Sequence, residues 1–124
     1  MVSNHAKFYT AIEIHPGATI GKRLVIDHGV GVVIGETAII GDDVLIYHGV
    51  TLGGKTLEPV KRHPTVGDRV ILGAGSKLIG NITIGNDCAV GANAVVTRSM
   101  PDGTVAVGVN ARLLPMTGDD YYII

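Results

Sequence analysis

The sequence predicts an all-β fold, a parallel β-helix, because an aliphatic residue returns at every sixth position through most of the chain, a period typical of hexapeptide coils. A second residue follows four positions after most anchors, so two inward side chains per hexapeptide would fill a narrow prism. Eight anchors precede a glycine, as expected where the backbone turns at positive φ or passes close to a neighbouring coil. The anchors are Ile14, Ile20, Ile26, Ile34, Ile40, Ile46, Leu52, Val66, Leu72, Leu78, Ile84, Val90 and Val96. The second positions are Ala18, Leu24, Val30, Ala38, Val44, Val50, Val70, Ser76, Ile82, Cys88 and Ala94.

Three hexapeptides make one coil, and two slips interrupt the count. The first slip, at 32–33, predicts a bulged corner, and the second, over 53–61, predicts a loop that protrudes from a corner. Stacking the coils predicts a column of His28, His48, Asp68 and Asn86, about 4.8 Å apart from coil to coil. We expect residues 1–11 to be an N-terminal remnant or linker, 12–114 to be the β-helix domain with a C-terminal cap, and 115–124 to be a tail.

Composition limits the function. The chain has 124 residues, enough for one domain, and its ten basic and eleven acidic residues give a net charge of −1. This balance provides no positive electrostatic field that would attract nucleic acid or an anionic membrane. No apolar run approaches the roughly 20 residues of a membrane span and no signal peptide is evident, so we expect a cytoplasmic protein. The single Cys88 excludes an internal disulfide and, in the inward series, is expected to be a core residue.

Aromatic residues lie mainly at the ends of the chain, outside the repeats, and Tyr47 takes an outward corner position. We therefore expect them to pack against another copy of the chain. The aromatic residues at the ends are Phe8, Tyr9, Tyr121 and Tyr122.

Two pairs of residues are candidates for chemistry. Asp27 and His28 break the repeat with ionisable groups at a corner, where a histidine beside a carboxylate can act as a general base. The alternative is a surface histidine with a charged neighbour. Arg62 and His63 lie at the end of the predicted loop, where the arginine could bind a carboxylate through two hydrogen bonds; the alternative is an ordinary solvated loop.

Six segments occur in order within residues 11–112: Ile12-Glu13-Ile14-His15-Pro16, Ile26-Asp27-His28-Gly29, Val33-Ile34-Gly35-Glu36-Thr37, Val50-Thr51-Leu52-Gly53-Gly54, Lys61-Arg62-His63-Pro64 and Gly73-Ala74-Gly75. Together they resemble the catalytic domain of bacterial serine O-acetyltransferases. Hexapeptide repeats are shared by many acyltransferases, whereas the Asp-His pair followed by Arg-His-Pro is specific.

The resemblance implies a left-handed β-helix that assembles as a homotrimer, with active sites between subunits. It implies that His28 takes the proton from the hydroxyl of L-serine, which then attacks the thioester of acetyl-CoA directly, and that Glu13 orients this imidazole. It further implies that Arg62 binds the serine carboxylate, Asp27 binds the ammonium, and His63 is contributed by the adjoining subunit. The products would be O-acetylserine, a precursor in cysteine biosynthesis, and CoA.

The same resemblance implies that acetyl-CoA lies in a groove lined by Gly54, Ala74 and Ala92, and no metal is expected. Two departures from the family are visible. Glu13 stands where better-known members have aspartate, which lengthens the side chain but keeps its charge. The helical domain that usually comes first is reduced to about a dozen residues, so we expect weak serine binding.

Alternative functions follow from the same fold. One is an acetyltransferase for a sugar or other small hydroxyl acceptor; relatives of that kind lack the Arg62–His63 pair. Another is an inactive trimeric scaffold. A third is a zinc site that joins His28, His48 and His63 across an interface.

The tail suggests a protein partner. In the family it resembles, a terminal isoleucine inserts into O-acetylserine sulfhydrylase, and this chain ends in Ile124 after two tyrosines. A terminal carboxylate with an aliphatic side chain can mimic an amino acid in a pocket rich in backbone donors. The alternative is that the last four residues pack on a neighbouring subunit.

Overall fold

The computed structural model describes residues 12–108, which form fourteen short strands wound into about five coils of a parallel β-helix. Within these residues, no helix has the length and apolar character needed to cross a lipid bilayer. In chain order the strands are β1 Glu13–Ile14, β2 Thr19–Ile20, β3 Val25–Asp27, β4 Val33–Ile34, β5 Ile39–Ile40, β6 Leu45–Tyr47, β7 Thr51–Gly53, β8 Thr65–Val66, β9 Ile71–Leu72, β10 Lys77–Ile79, β11 Thr83–Ile84, β12 Ala89–Val90, β13 Val95–Val96 and β14 Val105–Ala106.

The strands form three parallel sheets, one for each face of the prism. Sheet A has the order β1-β4-β7-β10-β13, sheet B has β2-β5-β8-β11, and sheet C has β3-β6-β9-β12-β14. Anchors pair with anchors from coil to coil; in sheet A, for example, Ile14 lies opposite Ile34, which lies opposite Leu52. The predicted β-helix of hexapeptide repeats is therefore confirmed.

The anchors form the core. From the second coil onward they are almost fully buried, and Ile34, Ile40 and Ile46 are each 1% exposed or less. The first coil is the open end of the described prism, and Ile20 there is 37% exposed. Cys88 is buried, as predicted, and its thiol lies 3.2 Å from the carbonyl oxygen of Pro101.

One inward position was predicted wrongly. Val30 is 66% exposed, whereas Val32 is fully buried, because the corner between β3 and β4 carries two extra residues. The amide of Gly49 donates to the carbonyl of Val30 at 2.9 Å, so Val30, and not His28, occupies the level of His48 on the neighbouring coil. His28 lies within the extra turn, in the left-handed region at a φ of 52°.

The predicted column of His28, His48, Asp68 and Asn86 is wrong for the same kind of reason. The loop of residues 54–64 follows a strand of sheet A, so Val66 lies in a strand of sheet B and pairs with Ile40. On sheet C, Ile46 instead pairs with Leu72. The loop itself protrudes as predicted, with Leu57 completely exposed. The predicted segments 1–11 and 115–124, and positions 109–114 of the predicted domain, lie outside the described residues.

Asp68 and Asn86 belong to a ladder at the corner between sheets B and C. In each step, a side-chain oxygen accepts a hydrogen bond from a backbone N–H of the preceding coil, at 2.7–2.8 Å. Each bond satisfies a corner amide that makes no strand pairing. In order, the donors and acceptors are Lys22 N to Asp42, Asp42 N to Asp68, Asp68 N to Asn86, and Asn86 N to Asp102.

The glycine after an anchor is explained by close approach. A Cβ at Gly41 would lie 2.8 Å from the backbone carbonyl of Gly67 on the next coil, which is too short for a carbon contact. The positive φ of this corner falls two residues later, at Asp43, with a φ of 58°. Of the two explanations offered by the sequence, the structure selects the contact between coils for these corners.

Replacement of Asp68 tests the ladder. Asp68→Ala removes the acceptor for the Asp42 amide, and we expect the free energy of unfolding in urea to fall by about 1 kcal/mol. Asp68→Asn keeps an oxygen at the same place, as Asn86 does on the next coil, and should lose less than half as much. Equal losses in the two variants would mean that the charge of Asp68, and not its acceptor oxygen, stabilises the corner.

Candidate active site

The predicted base lies on an exposed turn. Asp27 ends β3, and His28 follows it with a side chain that is 81% exposed. The Nε2 atom of His28 is 3.5 Å from an Asp27 carboxylate oxygen, which is beyond the usual length of a strong hydrogen bond. The imidazole is therefore accessible to a reactant and has a carboxylate beside it.

Glu13 lies at the same corner of the first coil. It is the first residue of β1, and its amide donates to the carbonyl of Val32 at 2.9 Å, just after the turn that carries His28. A Cβ at Gly29 would overlap the side chain of Ile12, so the turn packs against the residue that precedes Glu13. The structure thus brings Glu13 and His28 to neighbouring positions at the sheet A edge of this corner.

Arg62 and His63 lie at the other edge of sheet A, in a cleft of about 360 Å³. Hydrophobic residues of β1 and β4 line its wall, and ionisable side chains surround it. These are Glu13, His15, Glu36, Arg62 and His63. The cleft therefore combines two carboxylates with a guanidinium and two imidazoles.

His63 is held from one side by Thr37. The backbone N–H of Thr37 donates to Nδ1 of His63 at 3.1 Å, and the Thr37 hydroxyl lies 2.9 Å from the same atom. The ring lies so close to Gly35 that a Cβ there would overlap it. Burial lowers the pKa of His63, and the positive charges of Arg62 and Lys61 lower it further, so this imidazole is neutral at pH 7.

Arg62 already has a carboxylate partner in the chain. Its Nη2 atom is 2.6 Å from Oε1 of Glu36, and its Nη1 atom lies within 3.4 Å of the carbonyl oxygens of Glu58 and Val60. The hydrogen bond from Arg62 lowers the pKa of Glu36, so Glu36 is ionised. The guanidinium is thereby fixed in the cleft, ready to bind a second anion through its remaining N–H groups.

Sheet A separates His28 from Arg62 and His63, while Glu13, at the start of β1, also lines the Arg62 cleft. The segment from Val32 to Glu36 spans about 13 Å at roughly 3.3 Å per residue, with His28 before its start and the partner of Arg62, Glu36, at its end. The residues predicted to line the acetyl-CoA groove divide in the same way. Ala74 and Ala92 follow paired strands of sheet C, whereas Gly54 begins the protruding loop at the other corner.

Sequence reasoning did not assign roles to Glu36, Thr37 or His15. Gly35-Glu36-Thr37 was part of the resemblance, but the hydrogen bonds that give these residues their roles join positions 25 or 26 apart in sequence. His15 was given no role. Its Nδ1 accepts the Gly17 amide at 2.9 Å, and the ring lines the cleft.

Among residues 12–108, no three histidine, cysteine, aspartate or glutamate side chains are grouped so that they could hold a metal ion. Within one chain, His28 and His48 lie at one corner of sheet A and His63 at the other. The three histidines named for a zinc site are thus not brought together by this fold alone.

Comparison with known proteins identifies the family. Residues 63–98 match a family model described as bacterial transferase hexapeptide (six repeats). A serine acetyltransferase of Helicobacter pylori is 59% identical over 113 residues, which cover 91% of this chain and 66% of that protein. The chain belongs to the serine acetyltransferase family.

Solved structures of serine acetyltransferases share the fold. The Neisseria gonorrhoeae serine acetyltransferase in complex with serine aligns with a TM-score of 0.82 and 42% identity over 90% of this chain and 47% of that one. Isoform 3 from Entamoeba histolytica, in complex with cysteine, gives a TM-score of 0.84 and 41% identity over 98% of this chain and 44% of that one. This member of the serine acetyltransferase family thus spans less than two thirds of the Helicobacter relative and less than half of each of these two structures.

Proposed function

We propose that the chain transfers the acetyl group of acetyl-CoA to the hydroxyl of L-serine, giving O-acetylserine and CoA. The observation that carries this proposal is the Arg62 cleft, which offers fixed groups of both signs to a small zwitterion in a member of the serine acetyltransferase family. A relative has been solved in complex with serine, which supports serine as the amino acid.

Arg62 binds the serine carboxylate in this proposal. Its guanidinium is largely buried, with 18% of the side chain exposed, and a charge-assisted hydrogen bond to a carboxylate is stronger in such a place than in water. His63 provides a second donor beside it. Asp27 binds the serine ammonium, and its carboxylate is 46% exposed and available for a cation.

His28 acts as the general base. The hydroxyl of serine is a weak nucleophile at neutral pH, so a positioned base is required to remove its proton as the oxygen attacks the thioester carbon. Glu13 orients the imidazole and supports the imidazolium that forms. When the tetrahedral intermediate collapses, the C–S bond breaks, and His28 returns the proton to the thiolate of CoA.

A homotrimer would complete this site. Because sheet A lies between His28 and Arg62 in one chain, we infer that His28 of one subunit faces the Arg62 and His63 of another. The outer face of sheet C supports association, since every residue in one register row is aliphatic and two of them, Val25 and Ile71, are about half exposed. The row is Val25, Leu45, Ile71, Ala89 and Val105.

Acetyl-CoA is the only co-substrate in this proposal, and Gly54, Ala74 and Ala92 let its pantetheine arm approach the backbone. The product is an activated serine that a sulfur nucleophile converts to cysteine, so the reaction belongs to cysteine biosynthesis. The use of acetyl-CoA and a part in cysteine biosynthesis both fit a cytoplasmic enzyme.

Substitution of His28 tests the base. His28→Ala should lower kcat by roughly 10²–10⁴, the usual contribution of a general base, as measured by release of CoA thiol with serine as acceptor. The melting temperature should not change, because the side chain is exposed. His48→Ala, an exposed histidine at the same edge of the next coil, is the matched control. Near-normal turnover of His28→Ala would exclude this role.

Substitution of Arg62 tests amino-acid binding. Arg62→Ala should raise the KM for serine roughly 10- to 100-fold, the loss expected for a hydrogen bond to a charged group, and leave the KM for acetyl-CoA unchanged. Arg69→Ala is the control, because Arg69 forms a similar pair with Asp87 at another corner. An effect confined to acetyl-CoA would contradict the assignment.

Co-expression of the two variants tests whether each active site is shared between two subunits. When His28→Ala and Arg62→Ala chains are expressed together, mixed trimers should regain up to roughly a quarter of the wild-type activity at low serine, because some sites combine two intact halves. Light scattering of the wild type should give a trimer. Activity that never exceeds the sum of the two variants would show that each site is built from one chain.

We also propose that Ile124 docks the chain to O-acetylserine sulfhydrylase. A peptide of the last ten or so residues should compete with O-acetylserine at that enzyme, because a terminal carboxylate and an aliphatic side chain can occupy an amino-acid pocket. Removal of Ile124 alone should abolish competition in a steady-state inhibition assay. Equal inhibition by the shortened peptide would refute the docking.

A further inference from the structure

The hydroxyl group of Thr37 makes three hydrogen bonds, to Arg62 and twice to His63. The amides of Arg62 and His63 both donate to the Thr37 hydroxyl oxygen, each at 2.9 Å. A hydroxyl has two lone pairs and one proton, so both acceptor positions are occupied. The remaining proton points to Nδ1 of His63, 2.9 Å away.

This count fixes the tautomer of His63. Nδ1 receives the Thr37 hydroxyl proton and also the Thr37 backbone N–H, at 3.1 Å. A proton on Nδ1 would face two donors, so Nδ1 is an acceptor and the neutral ring carries its hydrogen on Nε2. Nε2 belongs to the ring edge that approaches Gly35 and Gly54, beside the cleft.

We propose that Thr37 is a positioning residue, which sets the backbone of Arg62 and His63 and holds His63 as an Nε2–H donor toward a substrate oxygen. The substrate named in this proposal rests on the proposed function, and the role of Thr37 adds a positioning residue to that function. His63 then cannot be a base in the reaction. It donates to the serine carboxylate or to the oxygen that becomes negative when the thioester is attacked.

The charged groups around His63 agree with a donor role. Arg62 and Lys61 disfavour an imidazolium and Glu36 favours one, while His15 lies in the same cleft. Lys61 also donates to the carbonyl oxygen of His63. Glu13 and Glu36 line the cleft, but Glu36 alone of the two raises the pKa of His63, so the two cations outweigh it and act in the same direction as the Thr37 hydrogen bonds.

Nitrogen NMR of the protein labelled with ¹⁵N-histidine tests the tautomer without any assay of activity. The His63 signals are assigned by comparison with His63→Gln. We expect a protonated Nε2 and an unprotonated Nδ1 at pH 7, with a titration midpoint below that of an ordinary histidine. A proton on Nδ1, or an ordinary midpoint, would overturn the proposal even if the protein acetylates serine normally.

Two variants separate positioning from general stability. Thr37→Val removes the hydroxyl, and we expect kcat/KM for serine to fall about 10-fold, with the pKa of His63 rising toward its ordinary value. Thr37→Ser keeps the hydroxyl and should restore both. Thr83→Val, on β11 two coils away, should change neither.

The outcomes are distinct. If Thr37→Val leaves the serine kinetics and the His63 titration unchanged, or if Thr37→Ser fails to restore them, the positioning role is wrong. If Thr37→Val does not fold, the wild-type tautomer and the Thr37→Ser kinetics still decide. If the wild type acetylates no serine, the proposed function fails, while the NMR result continues to test Thr37.

Discussion

The distance between adjacent coils constrains everything else in this molecule. Backbone amides pair with carbonyls one coil away, and these hydrogen bonds measure between 2.7 and 3.1 Å. The chain must therefore return to the same position after every coil, even at corners, where Gly41 comes into contact with Gly67. Only a residue without a Cβ fits there, and only a short side chain such as Asp68 can bridge the amide beside it. A corner built this way holds its outward groups in fixed places.

Rigid corners alone do not make a complete site. A face of the prism is only two or three strand residues wide, yet this width is enough to separate His28 from Arg62. One substrate the size of serine cannot bridge that distance. Association therefore has two effects in the proposed enzyme: it covers the aliphatic row on sheet C, and it brings a base to an amino-acid site. The same burial of apolar area that stabilises the oligomer would assemble the reacting groups.

The period of the sequence was sufficient to predict the fold, because each buried anchor, such as Ile40, makes the same contact in its own coil. The period was not sufficient to predict which face of the prism each hexapeptide occupies. Two extra residues before Val32, and a loop before Val66, shift the register without changing the local pattern, so the predicted column was wrong both at His28 and from Asp68 onward. Handedness came from the resemblance alone. The role of Thr37 was also out of reach, since its partners at Arg62 and His63 are distant in sequence and adjacent only after one coil closes.

The two histidines of the proposed site differ in what surrounds each ring, and this difference is enough to assign their roles. His28 has a carboxylate 3.5 Å away and an exposed ring, so a proton gained during the reaction would be compensated by an opposite charge. His63 is buried, faces two cations, and receives two hydrogen bonds at Nδ1. A proton gained there would meet like charge and would break the contact with Thr37. Exchange of the roles would require each ring to act against its own surroundings, so in the proposed reaction the proton that leaves serine is assigned to His28.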